Sequence, residues 1–286
     1  MQAENNSQPL KTYIDGRGKN KPHDRLFYNL IGRAPGFLRM LDDARAAAKS
    51  DSSVLITGEY GTGKRILAQT IHYESSRGFG SFRSIECKTA AADFFNNEIF
   101  GFNTEATWGE PSPADGGFEI VNHGSVYLDE IGNLSDENQL ALLRILVKVA
   151  YTSMDSPRSI AFDTRIISAT ENDVNTMADD ERFHRELLHR LSVITISTVP
   201  LRQRREDIGE LALSFLEKIA MRRGRPYLPL RADVLKRLHD YDWPGNISEL
   251  FHVLDLAVAD APKGIIRAES LVLDADAWEK RRNEDA

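Results

Sequence analysis

Short apolar runs alternate with longer segments of helical spacing through the first two thirds of the chain. The runs are rich in Val and Ile and have the length of buried strands, whereas the segments between them place apolar residues on one helical face, most clearly over Gln139–Leu146. This alternation predicts βαβ units and a mostly parallel sheet covered by helices. The predicted strands are Val54–Thr57, Ser84–Cys87, Val126–Leu128, Arg165–Ala169 and Val193–Ile196.

The pattern changes in the last third of the chain. Asp207–Ala220, Arg231–Asp240 and Ile247–Ala259 are all amphipathic at helical spacing, and no strand-like run separates them. A second, all-helical subdomain is therefore predicted. The turn before its last helix is Trp243-Pro-Gly-Asn246, which makes Asn246 a candidate N-cap.

Four segments follow from this pattern. Residues 1–24 are polar and aperiodic and predict a disordered tail. Residues 25–203 form the predicted α/β subdomain, and residues 204–273 form the helical one. Residues 274–286 are predicted to be a charged C-terminal tail, of which Glu279–Asp285 is expected to be frayed.

Composition narrows the functional classes. The 286 residues are 41% apolar and 28% charged, which is ordinary for a soluble protein, and neither a membrane span nor a signal peptide is visible, so the cytoplasm is predicted. The net charge of −7 argues against broad electrostatic binding to DNA or lipid, and the basic clusters at 202–205 and 222–225 are interpreted as solvated helix faces. The single cysteine, Cys87, is expected to be a small buried core residue.

A glycine-rich loop follows the first predicted strand and ends in lysine. Glycines let the backbone curl so that successive N–H groups point at an anion, and the helix that follows adds its positive N-terminal end. The full G-x-x-x-x-G-K spacing after an apolar run favours a P-loop over an ordinary tight turn, with Lys64 reaching the β- and γ-phosphates. The predicted nucleotide-binding residues are Gly58, Glu59, Tyr60, Gly61, Thr62, Gly63, Lys64, Arg65 and Ile66.

Arg65 breaks the P-loop pattern, because a Ser or Thr at this position would offer its hydroxyl to Mg²⁺. Two interpretations remain open. Arg65 either binds phosphate directly and makes nucleotide binding less dependent on Mg²⁺, or points to solvent from the first helical turn, where a cation is mildly unfavourable against the helix dipole.

Two adjacent carboxylates end another strand-like run, in Ser125-Val-Tyr-Leu-Asp-Glu-Ile-Gly132. In nucleotide hydrolysis an Asp at such a place holds Mg²⁺, and the neighbouring Glu orients or deprotonates the attacking water. Asp129 is therefore the predicted metal ligand and Glu130 the predicted catalytic base. The alternative, that the pair merely caps a helix, is weakened by the P-loop upstream.

These motifs, in this order, resemble the AAA+ ATPase domain of the bacterial sigma-54-dependent transcription activators, over roughly residues 30 to 273. The resemblance implies an AAA+ P-loop three-layer α/β sandwich followed by a helical lid, with Thr170 in the sensor I strand and Arg185 and Arg190 in the arginine-finger segment. It also implies ring assembly with ATP bound between neighbours. In the family, hydrolysis drives a surface loop against sigma-54-containing RNA polymerase. The matching segments are Leu30–Arg33, Gly58–Lys64, Glu98–Gly101, Gly117–Glu119, Leu128–Gly132, Thr164–Thr170, Phe183–Arg190, Pro200–Ile208 and Trp243–Asn246.

The surface loop departs from the family. Where the family has Gly-Ala-Phe-Thr-Gly-Ala, this chain has Glu105-Ala-Thr-Trp-Gly-Glu110, flanked by two carboxylates. Trp108 is either a contact residue for another partner or an anchor on the domain's own surface. Direct engagement of sigma-54 is therefore not expected.

Positions around the phosphates also depart. The asparagine that positions the Walker B glutamate is Glu86 here, the first finger arginine is His184, and the lid arginine is Ser248. Thr170 keeps the sensor I place, but Glu171 follows it where the family has asparagine. The family tends to place an acidic residue where Arg65 stands, so the local charge is reversed. A neutral histidine cannot supply the fixed charge of a finger arginine.

The preferred hypothesis is an ATP- and ADP-binding regulatory protein with weak or no hydrolysis. It would act through self-association into a ring or a hetero-oligomer with a related activator. The alternatives are an active ATPase that remodels RNA polymerase or another protein through Glu105–Glu110, and a sensor of a cyclic dinucleotide near Arg65 and Arg83. About a dozen residues follow Leu273, too few for a helix-turn-helix, so we expect no intrinsic DNA-binding domain.

Overall fold

The computed structural model describes residues 30–87, 123–151, 163–223, 229–261 and 265–276, together with 278 and 280. The predictions for the 1–24 tail and for the Glu105–Glu110 loop with Trp108 lie outside the described residues.

The centre of the α/β part is a parallel sheet, which confirms the predicted fold class. Its five strands lie in the order β2-β3-β4-β1-β5, and every neighbouring pair is parallel. The predicted strands are all present, with ends that differ by one or two residues. The strands are β1 Val54–Thr57, β2 Phe82–Glu86, β3 Ser125–Asp129, β4 Arg165–Thr170 and β5 Ile194–Ser197.

Helices cover both faces of the sheet and so form the three layers. On one face α1 and α2 pack over an apolar cluster that includes Ile56 and Tyr127, and on the other α3, α4 and α5 pack over a cluster that includes Leu55 and Leu128. Successive residues of β1 and β3 therefore point to opposite helical layers, as the pleat requires. The helices are α1 Pro35–Ala48, α2 Lys64–Tyr73, α3 Asp136–Tyr151, α4 Val174–Asp179 and α5 Arg185–Leu191.

The helical lid forms a third apolar cluster of its own, around the fully buried Trp243. The indole of Trp243 donates a hydrogen bond to the carbonyl of Leu238 at 2.8 Å, which satisfies its buried N–H. The predicted lid helices are confirmed with small shifts at their ends. They are α6 Ile208–Arg223, α7 Ala232–Asp240 and α8 Asn246–Ala259.

The prediction that Asn246 caps α8 is wrong. Gly245 occupies the cap position without a side-chain cap bond, and Asn246 is the first helical residue. Its buried side chain instead accepts from the backbone N–H of Leu201 at 2.8 Å and donates to the carbonyl of Tyr60 at 2.8 Å. Two tertiary backbone partners for a buried amide outweigh one local cap bond.

The C-terminal segment is held on the lid at Trp278, one residue before the charged end Glu279–Asp285 that is expected to be frayed. The backbone N–H of Trp278 bonds to the carbonyl of Asp274 at 3.0 Å, and its ring lies against Gly245 of the lid turn. The ring centroids of Tyr60 and His252 lie 6.5 Å and 5.9 Å from that of Trp278. The C-terminal segment thus contacts the phosphate loop.

Cys87 is buried, as expected. Within the described ranges, no helix combines the length and the apolar character that crossing a membrane would require.

Candidate nucleotide-binding site

The phosphate loop lies between the carboxyl end of β1 and the first turn of α2. Gly58, Gly61 and Gly63 all have positive φ, at 145°, 72° and 97°. A Cβ built on Gly58 would lie 2.0 Å from Thr198 Oγ1, so the loop has no room for a side chain there. Since α2 begins at Lys64, the free backbone N–H groups of its first turn face the loop.

Lys64 is buried and has three acceptors for its ammonium group. Its Nζ donates to the carbonyl oxygens of Gly58 at 2.9 Å and Glu59 at 3.4 Å. It also lies 2.9 Å from Glu130 Oε1. The structure therefore joins the predicted phosphate-binding lysine to the predicted catalytic base across neighbouring elements of the fold.

Glu130 is fixed from a second side. Its backbone is left-handed, with φ of 55°, and its Oε2 accepts the backbone N–H of Glu171 at 2.8 Å. Thr170 Oγ1, one residue earlier, accepts the N–H of Asn172 at 3.1 Å. A backbone amide after the sensor I strand thus holds the glutamate from this side.

Asp129 ends β3 beside this pair. The buried phenol of Tyr127 donates to Asp129 Oδ1 at 2.9 Å. Burial raises the pKa of the Asp129 carboxyl, the hydrogen bond from Tyr127 opposes that shift, and Glu130 raises it again. The positive charges of Lys64 and Arg65 lower the pKa of the same carboxyl.

The donor set fits a loosely held Mg²⁺. Among the described residues no hydrogen-bond donor reaches Asp129 Oδ2, and Mg²⁺ at nucleotide sites is held by one or two carboxylates plus phosphate oxygens. The hydroxyl that usually assists is replaced by Arg65. The part of the chain that the structure describes has no cluster of three or more His, Cys, Asp or Glu side chains that could hold a metal alone.

Two further loop residues, Thr62 and Glu59, are held by the segment that connects β5 to the lid. Thr62 Oγ1 contacts the carbonyl of Glu59 at 2.8 Å and Thr198 Oγ1 at 2.7 Å. Both guanidinium nitrogens of Arg202 donate to the Glu59 carboxylate, one of them at 2.7 Å, and this pairing lowers the pKa of Glu59. Thr62 and Glu59 therefore shape the loop.

Two further predicted residues, Tyr60 and Ile66, are exposed by 40% and 51%. The backbone of Tyr60 is part of the loop, and that of Ile66 is part of the first turn of α2.

The lid lies directly on the phosphate loop. The N–H of Ile247 donates to the carbonyl of Gly61 at 3.0 Å. A Cβ built on Gly61 would lie 2.2 Å from the carbonyl oxygen of Gly245 and 3.1 Å from Ser248 Cβ. Position 248 therefore adjoins the loop, but the hydroxyl of its serine is uncharged and brings no cation to the phosphates.

The finger candidates lie on α5, away from the phosphate loop. Arg185 pairs with Asp179 at 2.8 Å, and Arg190 pairs with Glu186 at 3.0 Å. Within the described chain, no hydrogen bond or ion pair joins either arginine to the P-loop.

His184, which stands where the family has its first finger arginine, also has a partner within its own chain. His184 Nε2 lies 2.8 Å from Asp136 Oδ1 at the start of α3. The histidine is therefore engaged within its own chain.

Glu86, which replaces the family's asparagine, lies beside the Walker B strand β3. It ends β2 directly opposite Asp129 in the sheet register, and the N–H of Cys87 donates to the carbonyl of Asp129 at 2.9 Å. Burial and then the nearby carboxylates of Asp129, Glu130 and Glu86 raise the pKa of the Cys87 thiol. The edge of the sheet where water would be activated is thus strongly acidic.

Two site residues, Tyr127 and Thr198, were not identified from the sequence. The interpretation of Arg202 as part of a solvated helix face is wrong, because its guanidinium pairs with Glu59 in the loop. Tyr127 precedes Asp129 by two positions on a strand, and the two-residue period places both side chains on one face, so this contact had a visible signal. Thr198 and Arg202 reach the loop from distant parts of the chain, for which the sequence pattern gives no sign.

Comparison with known proteins identifies the two parts of the chain. Residues 30–197 match the sigma-54 interaction domain, and residues 202–286 match the AAA+ ATPase lid domain. The chain is 37% identical over 235 residues to the formate hydrogenlyase transcriptional activator FhlA of Escherichia coli, covering 82% of this chain and 34% of FhlA. It is 36% identical over 243 residues to the E. coli regulatory protein AtoC, covering 85% of this chain and 53% of AtoC.

The crystal structure of NtrX from Brucella abortus in complex with ADP matches with a TM-score of 0.74 and 28% identity, over 86% of this chain and 56% of that one. The NtrX complex with ATP matches with a TM-score of 0.73 and 27% identity, over 91% of this chain and 64% of that one. The chain spans about a third of FhlA and about half of AtoC. Because the sigma-54 interaction domain covers more than half of its residues, the chain belongs to the AAA+ family of sigma-54-dependent transcription activators.

Proposed function

We propose that this chain is a nucleotide-binding regulatory module that holds ATP or ADP, hydrolyses ATP weakly or not at all, and acts through nucleotide-dependent assembly. The observation that carries this proposal is the contrast within one site. Lys64 and the glycines of the loop form an intact phosphate cradle, whereas Ser248 leaves the adjoining lid position without a cation. The groups that bind the phosphates are therefore present, whereas a cation that would stabilise the transition state is missing.

The residues have defined roles in this proposal. Residues 58 to 66 hold the phosphates, with Lys64 moving from Glu130 to the β- and γ-phosphates. Asp129 Oδ2 would hold Mg²⁺, which supplies charge neutralisation at the phosphates. Glu130 is the base for any remaining hydrolysis, and Thr170 orders the turn after the sensor strand beside it.

Weak hydrolysis has several independent supports. His184 is paired with Asp136 and lacks the permanent charge of an arginine, which is worth about three to five orders of magnitude in rate at well-characterised sites. Arg185 and Arg190 remain as finger candidates for a neighbour's site. Glu86 has a carboxyl group where the family has an amide, and a carboxylate has no N–H with which to donate to Glu130.

Assembly is the proposed output. The homologous NtrX binds ADP and ATP in its crystal structures, which supports nucleotide binding here. We propose self-association into a ring, or entry into the ring of a related activator, in the cytoplasm and without direct contact to sigma-54. The loop Glu105–Glu110 motivates that exclusion, because its sequence replaces the family's small aromatic-tipped insert with one flanked by carboxylates.

An active ATPase that remodels RNA polymerase or another protein is the second candidate, favoured by the retained Asp129 and Glu130 and by the fixed position of Glu130 between Lys64 and Glu171. One experiment separates the two functions. The mass of the assembly is measured with and without ATP, and phosphate release is followed over a range of protein concentrations.

The proposed function predicts growth of the assembly with ATP and phosphate release no faster than that of Glu130→Gln. Turnover that rises with protein concentration and is abolished by Glu130→Gln would establish the ATPase instead. Lys64→Ala is the matched control for nucleotide binding, and it should remove the ATP-dependent change in mass.

A further inference from the structure

Arg65 places a second side-chain cation next to Lys64 at the start of α2. Its side chain is exposed and, within the described ranges, makes no ion pair or hydrogen bond. An unpaired cation in the first turn of a helix is unfavourable against the helix dipole. A phosphate bound at that turn would attract the Arg65 guanidinium, and this attraction would offset its unfavourable interaction with the helix dipole.

The metal position beside Arg65 is weak. Asp129 is half-buried, and the Tyr127 phenol donates a hydrogen bond to its Oδ1 at 2.9 Å. One oxygen of this carboxylate is left for a cation, and the hydroxyl that usually assists is absent. Mg²⁺ loses its hydration reluctantly and needs near-ideal octahedral ligands, so one carboxylate oxygen retains it poorly.

The charge of Arg65 reaches this position. Because α2 packs against β3, the start of the helix lies beside the end of the strand, and the field of Arg65 acts on both Asp129 and Tyr127. A guanidinium can donate two parallel hydrogen bonds to a phosphate, which a lysine ammonium cannot do in the same fixed geometry.

We infer that Arg65 replaces much of the charge neutralisation that Mg²⁺ provides at the phosphates, so that this chain binds metal-free ADP and ATP almost as well as their Mg²⁺ complexes. The inference rests on the proposed nucleotide site and specifies the form of nucleotide that the site accepts. Mg²⁺ then matters for any hydrolysis and little for binding.

The test is a calorimetric titration of the full chain with ADP and with ATP, in Mg²⁺ and in EDTA. The variants are Arg65→Gln, which removes the charge, and Arg65→Ser, which restores the usual hydroxyl. Arg237→Gln, which removes an exposed arginine from α7 in the lid, is the matched control. Thermal unfolding verifies that each variant is folded.

For the wild type and Arg237→Gln, we expect the Kd to rise by less than about threefold when Mg²⁺ is removed. For Arg65→Gln and Arg65→Ser, we expect a rise of at least about tenfold in EDTA and a much smaller change in Mg²⁺.

Two results would overturn the inference while leaving the nucleotide site in place. One is a wild-type Kd that rises tenfold or more, on the order of 1.4 kcal/mol, in EDTA. The other is an Arg65→Gln variant that loses the same affinity in both conditions. A wild-type chain that binds neither nucleotide in either condition would refute the proposed function itself and this inference with it.

Discussion

Two carboxylates of this protein, Glu249 and Glu59, have pKa values that are shifted in opposite directions by their surroundings. Glu249, at the start of α8, is almost fully buried and accepts from the N–H of Gly245 at 2.8 Å and from the Tyr241 phenol at 2.9 Å. Burial, which outweighs these two hydrogen bonds, raises its pKa. Glu59, by contrast, has its pKa lowered by Arg202.

This difference predicts how Glu249→Gln changes stability with pH. Because the pKa of Glu249 is raised on folding, its contribution is fully present below the ordinary value of 4.5 and is lost as pH rises through the folded pKa. The glutamine variant does not titrate and loses one acceptor. It should be less stable than the wild type at low pH by on the order of 1 kcal/mol, and the gap should shrink towards pH ~8.

Chemical denaturation at both pH values measures this gap. Glu137→Gln, an exposed carboxyl at the start of α3, is the control for the loss of one surface charge. A gap that widens with pH would contradict the raised pKa of Glu249.

At the scale of single residues, the sequence identified the groups that carry chemistry better than their partners. Lys64, Asp129 and Glu130 follow from motif spacing. The hydrogen bond from Tyr127 to Asp129 follows from strand periodicity once the strand is known. The tertiary role of Asn246 does not, because the local signals for a cap are the same whether or not a distant carbonyl competes for the side chain.

At the scale of elements, the turn before α8 joins the lid to the phosphate loop and to the C-terminal segment around Trp278. Gly245 packs against the Trp278 indole so closely that a built Cβ would lie 2.0 Å from Trp278 Nε1. The φ of Gly245 is −92°, so alanine is acceptable to the backbone and only the contact is affected.

Gly245→Ala should therefore displace Trp278 without unfolding α8. We expect a loss of about 1–3 kcal/mol of stability and a red-shifted tryptophan emission, since the indole becomes more exposed to water. Trp278→Phe assigns the signal, because Trp243 also contributes to the emission.

The matched control is Gly209→Ala within α6. The nearest atom to its built Cβ is Leu235 Cδ1 at 3.5 Å, an ordinary contact, and alanine is the better helix former. This variant should keep the wild-type emission and gain up to about 1 kcal/mol. An unchanged emission in Gly245→Ala would show that Trp278 does not pack on the turn.

The sequence predicted the elements well where periodicity was strong and poorly where contacts decide. All the strands and the lid helices were located to within a few residues. The order of strands across the sheet, which places β4 between β3 and β1, came from the structure, because the apolar pattern of a strand does not specify its neighbours. The packing of Trp278 had no signal in a charged, aperiodic segment.

At the scale of the whole molecule, the parallel sheet explains why distant motifs form one site. The carboxyl ends of β1, β3 and β4 meet at the same edge, which joins the phosphate loop, Asp129–Glu130 and Thr170. The lid closes this edge through Ile247 and Asn246. Glu86 and Ser248, which replace family residues, adjoin this edge from separate elements, whereas His184 lies at the start of α5. In the proposed assembly all three positions act on one transition state, so their effects on hydrolysis should be coupled.

That coupling gives a prediction about turnover. Glu86→Asn restores an amide beside Glu130, His184→Arg restores a permanent charge on α5, and Ser248→Arg restores a charge next to Gly61. Because these groups act on one transition state, each single change should raise phosphate release by less than about threefold, whereas the triple variant should gain at least about tenfold. Release is measured per subunit at concentrations where the assembly has formed, and denaturation verifies the fold.

Adding Glu130→Gln to the triple variant should abolish the gain, since the restored charges stabilise a reaction that still requires the base. Equal turnover in the wild type and the triple variant, both sensitive to Glu130→Gln, would mean that the three departures do not limit hydrolysis. The wild-type chain would then hydrolyse ATP, and assembly alone would not explain its action. A gain in turnover that is seen only in the triple variant would instead show that the three replaced groups limit hydrolysis, while the phosphate cradle itself is intact.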